Sequence, residues 1–121
     1  MKEVEDNLIA YKSKAFAIRI INLYQYLGSK RINALANQIL RSGTSIGANV
    51  REAIYGYSKS DFTFKMTTAL KETCETQYWL DLLHETNYIN GKQYESMIKD
   101  CDEIAKLLTS IIKTSKNSNQ I

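Results

Sequence analysis

Asp81 and His84 stand three residues apart in a stretch with helical periodicity, and a carboxylate-x-x-histidine pair of this kind forms half of a di-iron site in some four-helix bundles. Such a site needs a second pair and two further inward carboxylates. His84 is the only histidine, and the inward beats of the first two helical stretches carry no carboxylate, so one chain cannot complete the site. No metal and no cofactor is therefore expected. Glu72 and Glu75 share one side of a helix and could serve acid–base or Mg²⁺ chemistry, but with Lys71 and Trp79 beside them they read as a salt-bridged helix face. Cys74 and His84 cannot act as nucleophile and base, because ten residues of helix rise by about 15 Å. Gly43-Thr44-Ser45-Ile46-Gly47 has glycines like those of a phosphate cradle, yet it lacks the lysine and the preceding strand of a P-loop. No catalytic residue is assigned, and the chain reads as non-enzymatic.

Chemistry of another kind is written in the charge distribution. From Ala10 to Ser60 eight basic residues face one acid, Glu52, a balance of +7, while the remainder to Ile121 carries seven lysines and nine acids, a balance of −2. All four arginines lie in the first part. Arginine forks suit phosphate, and Tyr24, Tyr26, Tyr55 and Tyr57 could stack on unpaired bases. Arg19, Lys30, Arg31, Arg41, Arg51 and Lys59 are thus the candidate nucleic-acid contacts. The competing reading is that the arginines bridge to Glu72, Glu75 or Asp81 of another subunit while tyrosines line interfaces. The ligand would then be another polypeptide.

These side chains must be held by helices. There is no proline, and the glycines are few, so little interrupts a helical beat. In the first helix, expected at 7–27, Ile9, Phe16, Ile20, Leu23 and Leu27 point inward, widened by Ile21 and Tyr24. Asp6 or Asn7 is its expected cap, and Gly28 is the expected left-handed residue after its end. The second helix, 34–57, is capped by Asn33 and keeps its face with Leu35, Ile39, Ile46, Val50 and Tyr57. Between Ile39 and Ile46 that face shrinks to Ser42 and Gly43. Glycine costs about 1 kcal/mol relative to alanine inside a helix, so Gly43 and Gly47 imply close approach of a neighbouring backbone. A loop across 42–49 is the alternative.

The third helix, 61–86 with Ser60 as cap, repeats Phe62, Met66, Ala69, Thr73, Thr76, Leu80 and Leu83 at 4-3-4-3-4-3 spacing. Its threonines fall at the depth of the glycines. The fourth, 91–113 with Asn90 as cap, turns Tyr94, Met97, Cys101, Ile104, Leu108 and Ile111 inward. Residues 114–121 are expected as a flexible tail. Short loops between such helices give an all-α, up-down-up-down antiparallel bundle in one domain, 1–121. Apolar residues left over on the first helix predict self-association. No apolar run reaches the roughly 18 residues of a membrane span, the first residues are no signal peptide, and Cys74 and Cys101 read as small buried hydrophobes. A cytoplasmic protein without a membrane partner is expected.

Ser45-Ile46-Gly47-Ala48-Asn49-Val50-Arg51-Glu52 resembles the Ser-Ile-x-Ala-Asn-x-x-Glu signature of the small four helix bundle protein family, which includes proteins encoded in intervening sequences of bacterial 23S ribosomal RNA genes and once labelled ribosomal proteins. The resemblance continues through Leu35 to Ser42, Ser58 to Phe62, Ala69 to Thr73 and Glu75 to Leu80. It implies a four-helix bundle assembled into a ring-like homopentamer, and no established activity for most members. A related branch, the accessory proteins of diversity-generating retroelements, implies RNA and a reverse transcriptase as partners of a basic surface. Within the signature Gly43, Ser45, Ile46, Gly47, Asn49 and Glu52 take structural roles, Ser45 as a small helix-facing residue and Asn49 with Glu52 as polar groups bonded across helices or subunits.

Overall fold

The computed structural model describes residues 4–118, and their side chains from Asn7 to Asn117. They form α1 (Val4–Ser29), α2 (Asn33–Ile54), α3 (Lys59–Glu85) and α4 (Gly91–Ser118), with no strand among the described residues. Each helix packs on its neighbour in sequence, and α4 returns to α1 along the thinnest seam, so the up-down-up-down bundle is the observed architecture.

The core follows the spacing. Ile9, Phe16, Ile20, Leu23 and Leu27 of α1 are buried, as are Met66, Ala69, Thr73, Thr76, Leu80 and Leu83 of α3. From α4 come Met97, Cys101, Ile104, Leu108 and Ile111. α2 is unbroken, and the loop across 42–49 is not formed. Its small polar residues turn their hydroxyls back onto their own helix: Thr44 Oγ1 donates to Leu40 O at 2.7 Å and Ser45 Oγ to Arg41 O at 2.6 Å. The threonine layer of α3 meets the small layer of α2 where Thr76 Oγ1 donates to the fully buried Ser42 Oγ at 2.9 Å.

Gly43 faces α1. A Cβ there would lie 2.7 Å from Ile20 Cγ1, so Ile20 occupies the volume the glycine leaves empty. One turn on, a Cβ at Gly47 would meet the Ser13 carbonyl oxygen at 3.4 Å, ordinary contact. The close approach expected of this strip is therefore made by α1.

Helix ends depart from expectation. α1 begins at Val4, so Asp6 and Asn7 lie inside it. Gly28 is helical, and the left-handed residue after α1 is Arg31 (φ 60). Arg31 N–H donates to Gly28 O at 3.1 Å and Ile32 N–H to Leu27 O at 3.4 Å, the paired bonds that close a helix around such a residue. Asn87 (φ 67) plays the same part after α3, with Tyr88 N–H on Leu83 O at 2.9 Å. Asn33 is the first residue of α2 rather than its cap, and Ile32 in the cap position offers no side-chain bond. α2 stops at Ile54, so Tyr57 leaves the inward face and is fully exposed. Ser58, not Ser60, caps α3 by accepting from Asp61 N–H at 3.0 Å.

Asn90 caps α4 as expected. It accepts from Gln93 N–H while Gln93 Oε1 accepts from Asn90 N–H, both at 2.8 Å. α4 then continues through 114–118, where a tail was expected, because Ile112 and Ser115 are buried and Ser115 Oγ bonds Thr63 Oγ1 at 2.5 Å. Residues 119–121 lie outside the described residues.

Candidate nucleic-acid interface

The six candidate basic residues do not form one patch. Arg19 ties α1 to α4: its Nη1 sits 2.6 Å from Asp100 Oδ2, and its Nη2 donates to Ser96 Oγ at 2.8 Å. Arg41 ties α2 to α3: its Nη2 donates to Glu75 Oε2 at 2.5 Å, and its Nη1 stands 3.8 Å from Glu72 Oε1. For Arg41, the bridges foreseen to Glu72 and Glu75 of another subunit are thus made within one chain, while Asp81 accepts from Tyr94 instead. Glu75 Oε2 also accepts from Trp79 Nε1 at 3.0 Å, so the glutamate is held from two sides. Glu72 is less well served. Its Oε1 is buried without a hydrogen bond, and burial, helped by the Glu75 charge and opposed by Arg41, raises its pKa above the ordinary carboxylate value.

Lys30 and Arg31 occupy the α1–α2 turn, with Lys30 Nζ 5.4 Å from the centre of the Tyr26 ring. Arg51 is exposed on the last turn of α2, about 30 Å of helix away from Arg31. Lys59, also exposed, opens α3 at that same end of the bundle.

Arg51 borders a groove of about 630 Å³ between α1 and α2. Its walls include Ala10, Ala17, Gly47 and Ala48, with Lys14, Arg51 and Tyr55 at the margin. Lys14 is exposed, and among the described residues no carboxylate bridges Lys14 or Arg51. Lys14 was not among the sequence candidates. Its signal was present in the sequence as small residues recurring in both helices, Ala10, Ser13 and Ala17 opposite Gly47 and Ala48, with one cation beside each run.

The residues first weighed for catalysis hold the bundle together. Asp81 Oδ1 accepts from Tyr94 Oη at 2.6 Å, which pushes the Tyr94 phenol up to about 12, and His84 stacks on the Tyr94 ring at 4.4 Å. Among the described residues no three His, Cys, Asp or Glu side chains group as metal ligands. Both cysteines are free. Cys101 is buried, its thiol pKa raised by desolvation, whereas Cys74 is exposed on the outer face of α3, contrary to expectation, because it falls beside rather than on the 4-3 seam. No helix among the described residues is long and apolar enough to cross a membrane.

The signature segment lies at the centre of α2, with Ile46 fully buried and Glu52 bridging Lys65 of α3 at 2.8 Å. Residues 5–110 match the model of the 23S rRNA-intervening sequence protein family. The chain belongs to that family. Among solved structures it is similar to the crystal structure of a protein of unknown function from the S23 ribosomal protein family of Bacteroides thetaiotaomicron, at 53% identity and a TM-score of 0.88, covering 91% of this chain and 99% of that one. No curated protein matches it. In this member of the intervening-sequence family the signature works within the bundle. Gly43 admits Ile20 and Glu52 reaches α3, as expected of a residue bonding across helices. Asn49 does not cross: its Nδ2 donates to Ser45 O at 2.9 Å in the same helix.

Proposed function

We propose that this member of the 23S rRNA-intervening sequence protein family is a non-enzymatic, self-associating helical bundle that acts as an RNA-binding accessory protein, with Lys14, Arg51, Lys30 and Arg31 contacting phosphate. The observation that carries the reading is the pairing state of its cations. Arg19 and Arg41 spend their charge on Asp100 and Glu75, whereas Lys14 and Arg51 stand on an open groove without a bridging carboxylate among the described residues. The family description, which refers to an intervening sequence of 23S rRNA, is in keeping with RNA and names no reaction.

Self-association is supported by the outer face of α1. Leu8, Tyr11 and Ile18 are exposed (Tyr11 at 72% and Ile18 at 53%), and with Ala15 they repeat at three and four residues, a second seam opposite the core. A ring-like homopentamer is the assembly proposed for it. The same seam favours the second reading, a scaffold for another polypeptide. RNA binding to the wild type across a salt series separates the two. Affinity that falls steeply with salt is expected, because each neutralised phosphate releases a counterion; absence of binding at low salt supports the scaffold.

A further inference from the structure

We propose that the α1–α2 groove is a site for one unpaired nucleotide of single-stranded RNA, its base on the small-residue floor beside Tyr55 and its phosphate on Lys14 and Arg51. This rests on the RNA reading above. The shape argues for it first. The groove's volume of about 630 Å³ lies within the range typical of small-ligand clefts, roughly 300–1,000 Å³. Its floor of Ala10, Ala17, Gly47 and Ala48 offers a low apolar surface between two helices. Such a surface admits a flat ring, and an unpaired base reaches it without the unpairing and unstacking that a base in a duplex would need.

Charge argues second. Two exposed cations at the margin, with no bridging carboxylate among the described residues, complement a single phosphodiester. A duplex would instead call for a broad basic face following two backbones. Lys30 and Arg31, in the turn at the other end of α2, are about 30 Å from Arg51. The aromatic margin argues third. Tyr55, 72% exposed, lines the groove and is a stacking surface of the kind single-strand binders use with any base. On α1, Ala10 and Ala17 turn away from the apolar seam of Leu8, Tyr11 and Ile18, whereas Lys14, one turn from both Tyr11 and Ile18, stands between the seam and the groove.

The test uses full-length protein, a fluorescein-labelled oligouridine of about 12 nucleotides and a duplex of the same length. Ala48→Trp fills the groove from an exposed position; circular dichroism and light scattering report its fold and mass. Expected are preference for the single strand, about tenfold loss of its affinity in Ala48→Trp, and duplex binding changed by less than about twofold. Should Ala48→Trp not fold, photocrosslinking of 4-thiouridine oligouridine to wild type decides, with adducts expected on the segments 7–17 and 44–55. Unchanged single-strand affinity in folded Ala48→Trp, adducts confined to other surfaces, or a fall in its mass (which makes the groove a contact between copies) overturns the proposal. If wild type binds duplex as well as single strand and ignores the substitution, only the nucleotide site fails. Binding to neither probe sinks the RNA reading with it.

Discussion

Helix α2 treats its two neighbours differently. Towards α3 its polar groups are matched: Arg41 with Glu75, Ser42 with Thr76, Glu52 with Lys65. Towards α1 the contact is tight at Gly43, where Ile20 fills the strip, and open from Gly47 onward, where Lys14 and Arg51 face a groove. Two arginines ten residues apart on one helix thus have opposite uses. One is committed to holding helices together, and the other borders the groove with no bridging carboxylate among the described residues. Basic composition alone does not make a binding face; the location of the nearest carboxylate does.

The largest effect is expected where the α1–α2 contact is tight. Gly43→Val drives two methyl groups into Ile20 and should cost about 3 kcal/mol in denaturant unfolding. Next is Arg41→Glu, which sets a third carboxylate beside Glu72 and Glu75. A loss of about 1–2 kcal/mol is expected from the charged hydrogen bond, discounted because Arg41 is half exposed. Reversing both groove cations, Lys14→Glu with Arg51→Glu, should leave stability within about 0.5 kcal/mol of wild type. In the same variant RNA affinity should fall at least about tenfold, with a salt slope shallower by about 1–2.

Glu72 gives the pH arm of the comparison. Its folded pKa is raised above the ordinary 4.5 by burial, so folding favours its neutral form relative to the unfolded chain. The stability it contributes is present below the unfolded value and is lost as pH rises through the higher folded one. Glu72→Gln should therefore stabilise the protein at neutral pH and flatten its melting temperature profile in the window just above 4.5; a profile identical to wild type would contradict this. The smallest effect is at Gly47→Ala, where the new Cβ meets Ser13 O at 3.4 Å and helix propensity should add up to about 1 kcal/mol.

Much of the bundle was legible in the sequence because helical periodicity is a local signal. The 4-3 seam of α3 from Met66 onward and the inward beat of α4 from Met97 onward gave the core, while Phe62 and Tyr94 at their starts are only half-buried, and Asn90 announced its own cap. Helix ends were less legible. Gly28 looked like the left-handed residue, but the chain runs one further turn because Ile32 must reach back over Leu27, which places Arg31 there. Tyr57 kept the rhythm of α2, yet the Ser58 cap of α3 claims the chain first. The site was legible only as composition. Which arginine meets which carboxylate depends on residues 81 positions apart for Arg19 and Asp100, or 34 for Arg41 and Glu75, and periodicity within one helix carries no such information. Lys14 was passed over for the same reason, since the groove exists only between two helices.

The central claim, that Arg51 is free to meet RNA and Arg41 is not, is tested most directly by comparing Arg41→Glu with Arg51→Glu in one anisotropy titration at low salt, with mass measured on both. The account predicts that Arg51→Glu loses RNA affinity while keeping wild-type mass and melting temperature, and that Arg41→Glu melts lower yet binds RNA nearly as wild type does. Equal loss of RNA affinity in both variants, or none in Arg51→Glu, would contradict it.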